Sequence, residues 1–519
     1  MPLVVNHTKF GRRQSVLNMA SQGIAFAFTL LLGFFLTPFV VKHIGSTANG
    51  FLALSANIMT YTSLIVIALN SMTGRFVAMA YFQHRVNDVK KYYSSVFIAN
   101  VFVCLILTIP ALMLFCHLSS IFHIPQDLIR DVTLLFVFTF IQFVIMQIGS
   151  VFNNSAYVAN RLDLVASRNI ESKLLSGILI LLAFSFFTPH LWQLGLIHCL
   201  CAAYVVMRNY SIHRMVMPGI GVNFNYFEFG KIRELIASGA WNSVNVLGGI
   251  LIDQLDLIIV NMFISAAAMG VVSVAKVLPF GCSGLICALA SSVAPTLTKE
   301  YAEGNFNKIS TTVNFNMRLM ASFACIPVAF VAVWGGDFYR LWVPTMEARE
   351  LWLISLAAFG IMPLLLSLTP MSFVFTSANK VKINSLVTIG YALLSLAVML
   401  ALLHLTDNVL IRMIIVVTIG RLFGILQGLT FTIPYISKML SVNSTQLYLV
   451  LVKNVSVTVA TIAVGIVFRC LFSAHNWWDL AIAVVFTATN GIIISWSFLF
   501  SKNEKIILIN FLKTKLHLT

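Results

Sequence analysis

Read from the N-terminus, apolar residues fall into runs of about 20, each bounded by charged or turn-forming residues, and the pattern continues almost to the C-terminus. The runs lie near 18–41, 49–74, 93–117, 131–152, 172–188, 191–208, 236–264, 267–294, 313–334, 351–375, 382–404, 409–433, 449–471 and 479–500. An α-helix rises about 1.5 Å per residue, so each run can cross a hydrocarbon layer about 30 Å thick. The pattern therefore predicts an all-α polytopic membrane protein with fourteen transmembrane helices. Only Thr188-Pro189-His190 separates the fifth from the sixth. Lys9, Arg12 and Arg13 before the first run imitate a signal peptide, but the run is long enough to span and no small-residue cleavage site follows, so it reads as a retained helix.

Composition agrees. Of 519 residues, 59% are hydrophobic and only 10% are charged, whereas a soluble domain carries roughly a quarter charged residues. A soluble domain, a disordered chain, a collagen-like repeat and a disulfide scaffold are all excluded. The eight cysteines sit in or near apolar runs and read as small buried hydrophobes. Cys199 and Cys201 form a C-x-C with no His or Cys cluster at ligand spacing, so no metal site is expected. No phosphate-cradling P-loop occurs, and no cofactor or catalytic residue is expected.

The net charge of +16 changes meaning once the cations are placed against the spans. With a cytoplasmic N-terminus, 25 Lys and Arg fall on the inner side, six on the outer (Lys42, Arg130, Arg340, Arg349, Arg412, Arg469), and Lys276 and Arg421 lie within spans. That asymmetry predicts both termini in the cytoplasm. Because the basic residues are spread over short loops, no nucleic-acid face is formed. Trp192, Trp334, Trp342, Trp477 and Trp478 fall at outer ends, where an aromatic belt would place them.

An offset of 220 residues aligns Gly50 with Gly270, Tyr81 with Tyr301 and Asn87 with Asn307. The match pairs helices 1–6 with helices 7–12 in the same orientation, as two six-helix lobes in a parallel pseudo-two-fold repeat, with two C-terminal helices added. The expected organisation is a cytoplasmic N-terminal segment 1–17, an N-lobe 18–208, a cytoplasmic linker 209–235, a C-lobe 236–434, helices 13–14 over 435–500 and a cytoplasmic tail 501–519. Two-lobed transporters of this kind bind substrate between the lobes and rock to alternate access. The loops are too short to house a catalytic domain.

Charges at mid-bilayer cost at least about 2.5 kcal/mol each on insertion scales, so each needs a reason. Asp253 and Asp256 share one face of helix 7, Lys276 lies in helix 8 and Arg421 in helix 12. By depth, Asp256 matches Lys276 and Asp253 matches Arg421. One reading is a pair of structural ion pairs. The other is a hydrated cavity in which the cations attract an anionic substrate and Asp253 and Asp256 couple its movement to an ion. Arg75, closing helix 2, is either a snorkelling side chain or a further cation for the substrate. Asn18 and Gln22 on helix 1, and Asn242 and Asn245 on helix 7, could hydrogen-bond a hydroxyl-rich ligand or act as helix-packing glue.

Thr37-Pro38-Phe39-Val40-Val41-Lys42-His43-Ile44-Gly45 followed by Asn49-Gly50-Phe51, and Gly74-Arg75-Phe76-Val77-Ala78, resemble the opening of Wzx-type polysaccharide flippases. Asp253-Gln254-Leu255-Asp256-Leu257-Ile258-Ile259 and Ala268-Met269-Gly270-Val271-Val272-Ser273-Val274-Ala275 are similar to that family's helix 7 to helix 8 motif. These flippases belong to the multidrug/oligosaccharidyl-lipid/polysaccharide (MOP) exporter superfamily, with the multidrug extruders and lipid II flippases. The resemblance implies a MATE/MOP-like fold in the bacterial inner membrane. It also implies transfer of an undecaprenyl-pyrophosphate-linked oligosaccharide, such as an O-antigen unit of lipopolysaccharide, from the cytoplasmic to the outer leaflet. Arg75, Lys276 and Arg421 would then meet the pyrophosphate. Membrane lipids, a polysaccharide polymerase and glycosyltransferases would be the partners. The alternatives are a cation-coupled MATE-type multidrug exporter, which would favour carboxylates without matching cations, and a membrane polymerase or glycosyltransferase, which would need larger outer loops.

Overall fold

The computed structural model describes residues 12–159, 161–291, 293–502 and 504–506. Residues 1–11 of the N-terminal segment and 507–519 of the tail lie outside them. Every regular element among the described residues is helical. Among the described residues, thirteen helices are long and apolar enough to cross a membrane. The first of these contains Gly45, whose φ of 83° and ψ of 162° leave the helix and suit a residue without a Cβ. The stretches on either side of Gly45 are each long enough to span, in line with two of the fourteen predicted crossings. Phe35, Phe102, Leu105, Ile178, Leu393, Val452 and Val485 all stand exposed on apolar helices, the surface of a multi-pass membrane protein.

The chain forms two compact units. One comprises the described residues through Ile250 together with Leu257–Val274, the other Leu251–Asp256 and the described residues from Ala275 onward. The first unit contains α1 (Arg12–Asn70), α2 (Thr73–Phe82), α3 (Val86–Cys116), α4 (Leu118–Ile121), α5 (Ile129–Val158), α6 (Leu162–Phe186), α7 (Leu191–Val216) and most of α8 (Phe229–Asp253), α9 (Asp256–Phe263) and α10 (Ala266–Ala275). Its core packs α5 on α7 and α1 on α6. A buried polar knot ties three helices together. Asn100 Nδ2 donates to Asn70 Oδ1 (3.2 Å), to the Gln147 carbonyl (3.0 Å) and to Ser150 Oγ (3.1 Å), the kind of interhelical bonding that holds bundles in lipid.

The two compact units divide inside 250–275. Specific bonds explain why α9 and α10 side with the first unit. Asn261 Oδ1 accepts from the His123 amide (2.9 Å), and Asn49 Nδ2 donates to Ser273 Oγ (3.1 Å). Gly50 and Gly270, the two glycines that the 220-residue offset aligns, meet backbone to backbone.

The second unit adds α11 (Val277–Ser291), α12 (Ala294–Ala302), α13 (Phe306–Trp342), α14 (Ala348–Phe359), α15 (Met362–Ser377), α16 (Val381–Leu403), α17 (Val409–Gln427), α18 (Ile433–Leu440), α19 (Ser444–Leu471) and α20 (Trp477–Phe498). The central α13 packs against α14, α15, α19 and α20. Two of the tryptophans assigned to an outer belt are core residues instead. Trp334 is fully buried, edge-on to Phe468 and Phe472, and Trp342 is buried against Phe338. The appended helix α19 supplies apolar partners that an interface would not, while Trp477 and Trp478 remain exposed.

Two prolines set local geometry. Proline removes one backbone donor and crowds the carbonyl four residues earlier. Pro279 thereby frees Ala275, where α10 ends and α11 begins after Lys276, and Tyr339 Oη donates to the Ala275 carbonyl at 3.2 Å. Pro434 follows a π-helical stretch, Gly428–Thr432, in which the Leu429 carbonyl accepts from Tyr448 Oη at 2.6 Å. In each case a hydroxyl from another helix replaces the missing bond, as burial in lipid requires.

Candidate functional site

Two apolar helices of the chain are interrupted within the membrane-crossing region, and the charged residues stand at the interruptions. Asp253 ends α8, two non-helical residues follow, and Asp256 opens α9. Lys276 occupies the gap between α10 and α11. A helix N-terminus carries partial positive charge and a C-terminus partial negative charge, so Asp256 and Lys276 each sit where the backbone favours them. Lys276 Nζ donates to Asp256 Oδ2, and to the backbone carbonyl of Asp253 at 3.4 Å, occupying an acceptor that the end of α8 leaves open.

The second pair lies alongside. Arg421 Nε is 3.7 Å from Asp253 Oδ1, and its Nη1 donates back to the Val417 carbonyl of its own helix. This approach depends on Gly420, because a Cβ there would collide with the Ile252 carbonyl. The structure thus joins the two pairs of equal depth, Asp256 with Lys276 and Asp253 with Arg421, into one four-charge cluster with no net charge. Exposure is uneven. The Lys276, Asp256 and Arg421 side chains are 13%, 6% and 9% exposed, whereas Asp253 is 46% exposed. The cations are turned onto their carboxylates, and Asp253 is the cluster's open edge.

The remaining candidates lie in the first unit, and only some are available to a ligand. Asn18 Oδ1 accepts from the Asp163 amide (3.1 Å) and Gln22 Nε2 donates to the Leu162 carbonyl (3.1 Å), so both are engaged in holding the start of α6. Asn242 and Asn245 are half-buried on α8 and have no hydrogen-bond partner among the described residues. Arg75 is exposed at the start of α2, next to Gly74, which packs against Asn154 and Tyr157 of α5, and forms no ion pair among the described residues.

The sequence reading missed two participants. Tyr339 fixes the break that carries Lys276, and its signal was Pro279, whose freed carbonyl needs a donor. Arg168, counted among the inner surface cations, is buried on α6 with Nη1 3.3 Å from Asn153 Oδ1 and Nε unpaired. Cys116, Cys287 and Cys470, read as buried, are exposed, on the lipid-compatible apolar surface. Among the described residues, no group of three His, Cys, Asp or Glu could hold a metal ion.

No family model matches the chain. It is 26% identical over 422 residues to "Uncharacterized membrane protein EpsK" of Bacillus subtilis (strain 168), across 81% of this chain and 83% of that protein. Among solved structures, the lipid II flippase MurJ in an inward closed conformation has a TM-score of 0.67 at 13% identity, covering 92% of this chain and 98% of MurJ. An inward-facing multidrug resistance MATE family transporter of the MOP superfamily has a TM-score of 0.58 at 14% identity, covering 82% of this chain and 98% of the transporter. The chain therefore shares the MurJ/MATE fold.

Proposed function

We propose that this protein is a MOP-superfamily flippase of the Wzx type. Its cargo is an undecaprenyl-pyrophosphate-linked oligosaccharide, moved from the cytoplasmic to the outer leaflet of a bacterial inner membrane, with both chain termini cytoplasmic. The single observation that carries the reading is the neutral four-charge cluster built on two interrupted helices. Discontinuous helices at membrane depth are a recurring way to build a transport site, because their free ends and unwound backbone bind ions and polar groups.

In this mechanism, the exposed guanidinium of Arg75 captures the pyrophosphate on entry. Phosphate oxygens then compete with Asp253 and Asp256 for Arg421 and Lys276. Arginine can grip phosphate through two parallel charge-assisted hydrogen bonds, offsetting the cost of separating the ion pairs. A carboxylate released in this way takes up a proton or metal cation, and Asp253, already half-exposed, is the first to do so. Asn242 and Asn245 offer neutral hydrogen bonds to sugar hydroxyls. Asn18 and Gln22 have no part in cargo binding because α6 uses them. A polymerase and glycosyltransferases acting on the same glycan are the expected partners. A MATE-type drug exporter is the weaker reading, since a cation cargo would meet two matched cations here.

The test is Arg75→Ala in the native cell, read as surface glycan against protein level in the membrane. Arg75 is exposed and unpaired, so the protein level should stay unchanged while surface glycan falls at least about tenfold, with partial rescue by Arg75→Lys, which keeps the charge but loses the fork. Normal glycan with a lost drug-resistance phenotype would replace the proposal with the exporter.

A further inference from the structure

A second cationic site lies away from the cluster, where α13 meets the appended helix α19. A cavity of about 180 Å³ is lined by Asn314 and Arg318 of α13 and by Gln446, Leu449, Val450 and Lys453 of α19. The lining residues recur at helical spacing on each helix, so a polar face of α13 meets a mixed face of α19, on which Gln446 and Lys453 flank Leu449 and Val450, in one slot. Its polar groups are incompletely used. Arg318 Nη1 bonds both carboxylate oxygens of Glu504 (3.0 and 2.8 Å), but Arg318 Nε and Asn314 Oδ1 are buried without partners. Lys453 has no carboxylate within 4.0 Å among the described residues. Two cations thus share a slot with one carboxylate.

The position of Lys453 calls for a counter-ion. Counted by sequence among the inner-side cations, it lies nine residues into α19, about 14 Å along the axis. Its neighbours Leu449, Val452 and Val459 are 53%, 60% and 59% exposed on an apolar helix, so this face meets lipid. An ammonium among acyl chains is costly unless its head snorkels to the interface or is met by an anion. A basic pocket between transmembrane helices is the setting in which phospholipid headgroups bind.

We propose that this slot binds the phosphate headgroup of an anionic phospholipid, with Lys453 and Arg318 on the phosphate, the Gln446 and Asn314 amides on the headgroup hydroxyls, and the acyl chains along the exposed face of α19. The site is independent of cargo transfer.

The full chain in nanodiscs of phosphatidylcholine with a minor fraction of phosphatidylglycerol tests this, with retained lipid counted by native mass spectrometry. Wild type should retain phosphatidylglycerol over phosphatidylcholine, and Lys453→Gln should lower that preference about fivefold, the effect of one cation near an anionic lipid. Lys453→Arg should keep it. Lys453 is exposed, so these variants fold, and a photoreactive phosphatidylglycerol headgroup should label the peptide containing Asn314 and Arg318. An absent preference, a preference unchanged in Lys453→Gln, or its abolition by inorganic phosphate would each overturn the lipid as occupant.

Discussion

The Lys276–Asp256 pair makes a prediction that separates holding the fold from moving cargo. Both side chains are largely buried, and Lys276 also binds the Asp253 carbonyl. Removing one partner strands the other as an uncompensated charge, which costs about 3–5 kcal/mol for a buried pair. Lys276→Met and Asp256→Leu, made singly, should therefore each destabilise the second unit by that amount and lower the amount of protein in the membrane. Made together they remove both charges at similar volume, and the double variant should be less destabilised than the sum of the singles by about 2–3 kcal/mol, the coupling expected of residues in contact. Unfolding titrations in mixed micelles give the four corners of the cycle. Strictly additive effects, or singles within about 0.5 kcal/mol of wild type, would refute the pairing argument. With the protein level restored, the double variant isolates function. If Lys276 only staples helices, surface glycan returns with the protein; if it receives phosphate, glycan stays low.

Two further outcomes follow from local geometry. Gly420→Ala should force α17 away from Ile252 and lengthen the Arg421–Asp253 contact, destabilising by about 1–3 kcal/mol as overpacking does; an unfolding midpoint equal to wild type would show that the helices can part freely. At the start of α8, the Lys91 ammonium beside Glu228 holds its carboxyl below the usual carboxylate range. A depressed folded-state value stabilises above the unfolded one and is lost as the pH falls through the folded one. Protection of the Glu228 amide, which donates to Ser95 Oγ at 2.9 Å, should hold at neutral pH and decline as the pH falls through the ordinary carboxylate range toward the lower folded-state value. Protection that is flat through that range, once corrected for intrinsic exchange, would refute the link.

Much of this architecture was legible because lipid imposes a simple length rule: apolar runs of about 20 residues gave the spans, and equal depth along neighbouring runs matched Asp256 to Lys276 and Asp253 to Arg421. What failed to show were details decided by contacts distant in sequence. Asn18 and Gln22 look like free polar groups on helix 1 until α6 is placed beside them. Trp334 looks interfacial by position, yet α19, the helix outside the repeat, covers it. The assignment of α9 and α10 to the first unit depends on Asn261 meeting His123 and on Gly50 meeting Gly270, pairs separated by well over a hundred residues. Pro279 was visible as a kink, but the residue that makes the kink tolerable, Tyr339, lies two helices away.

That last arrangement bears on how Lys276 is held. Ala275 surrenders its own helical bond, and the replacement comes from α13, the central helix of the second unit. The backbone break that carries the lysine is therefore braced from a neighbouring helix, while its ammonium is held by Asp256 and the Asp253 carbonyl. Any motion that slid α13 past this point would withdraw the phenol and strand the Ala275 carbonyl without a donor, so the break and the helix that braces it are tied to move together.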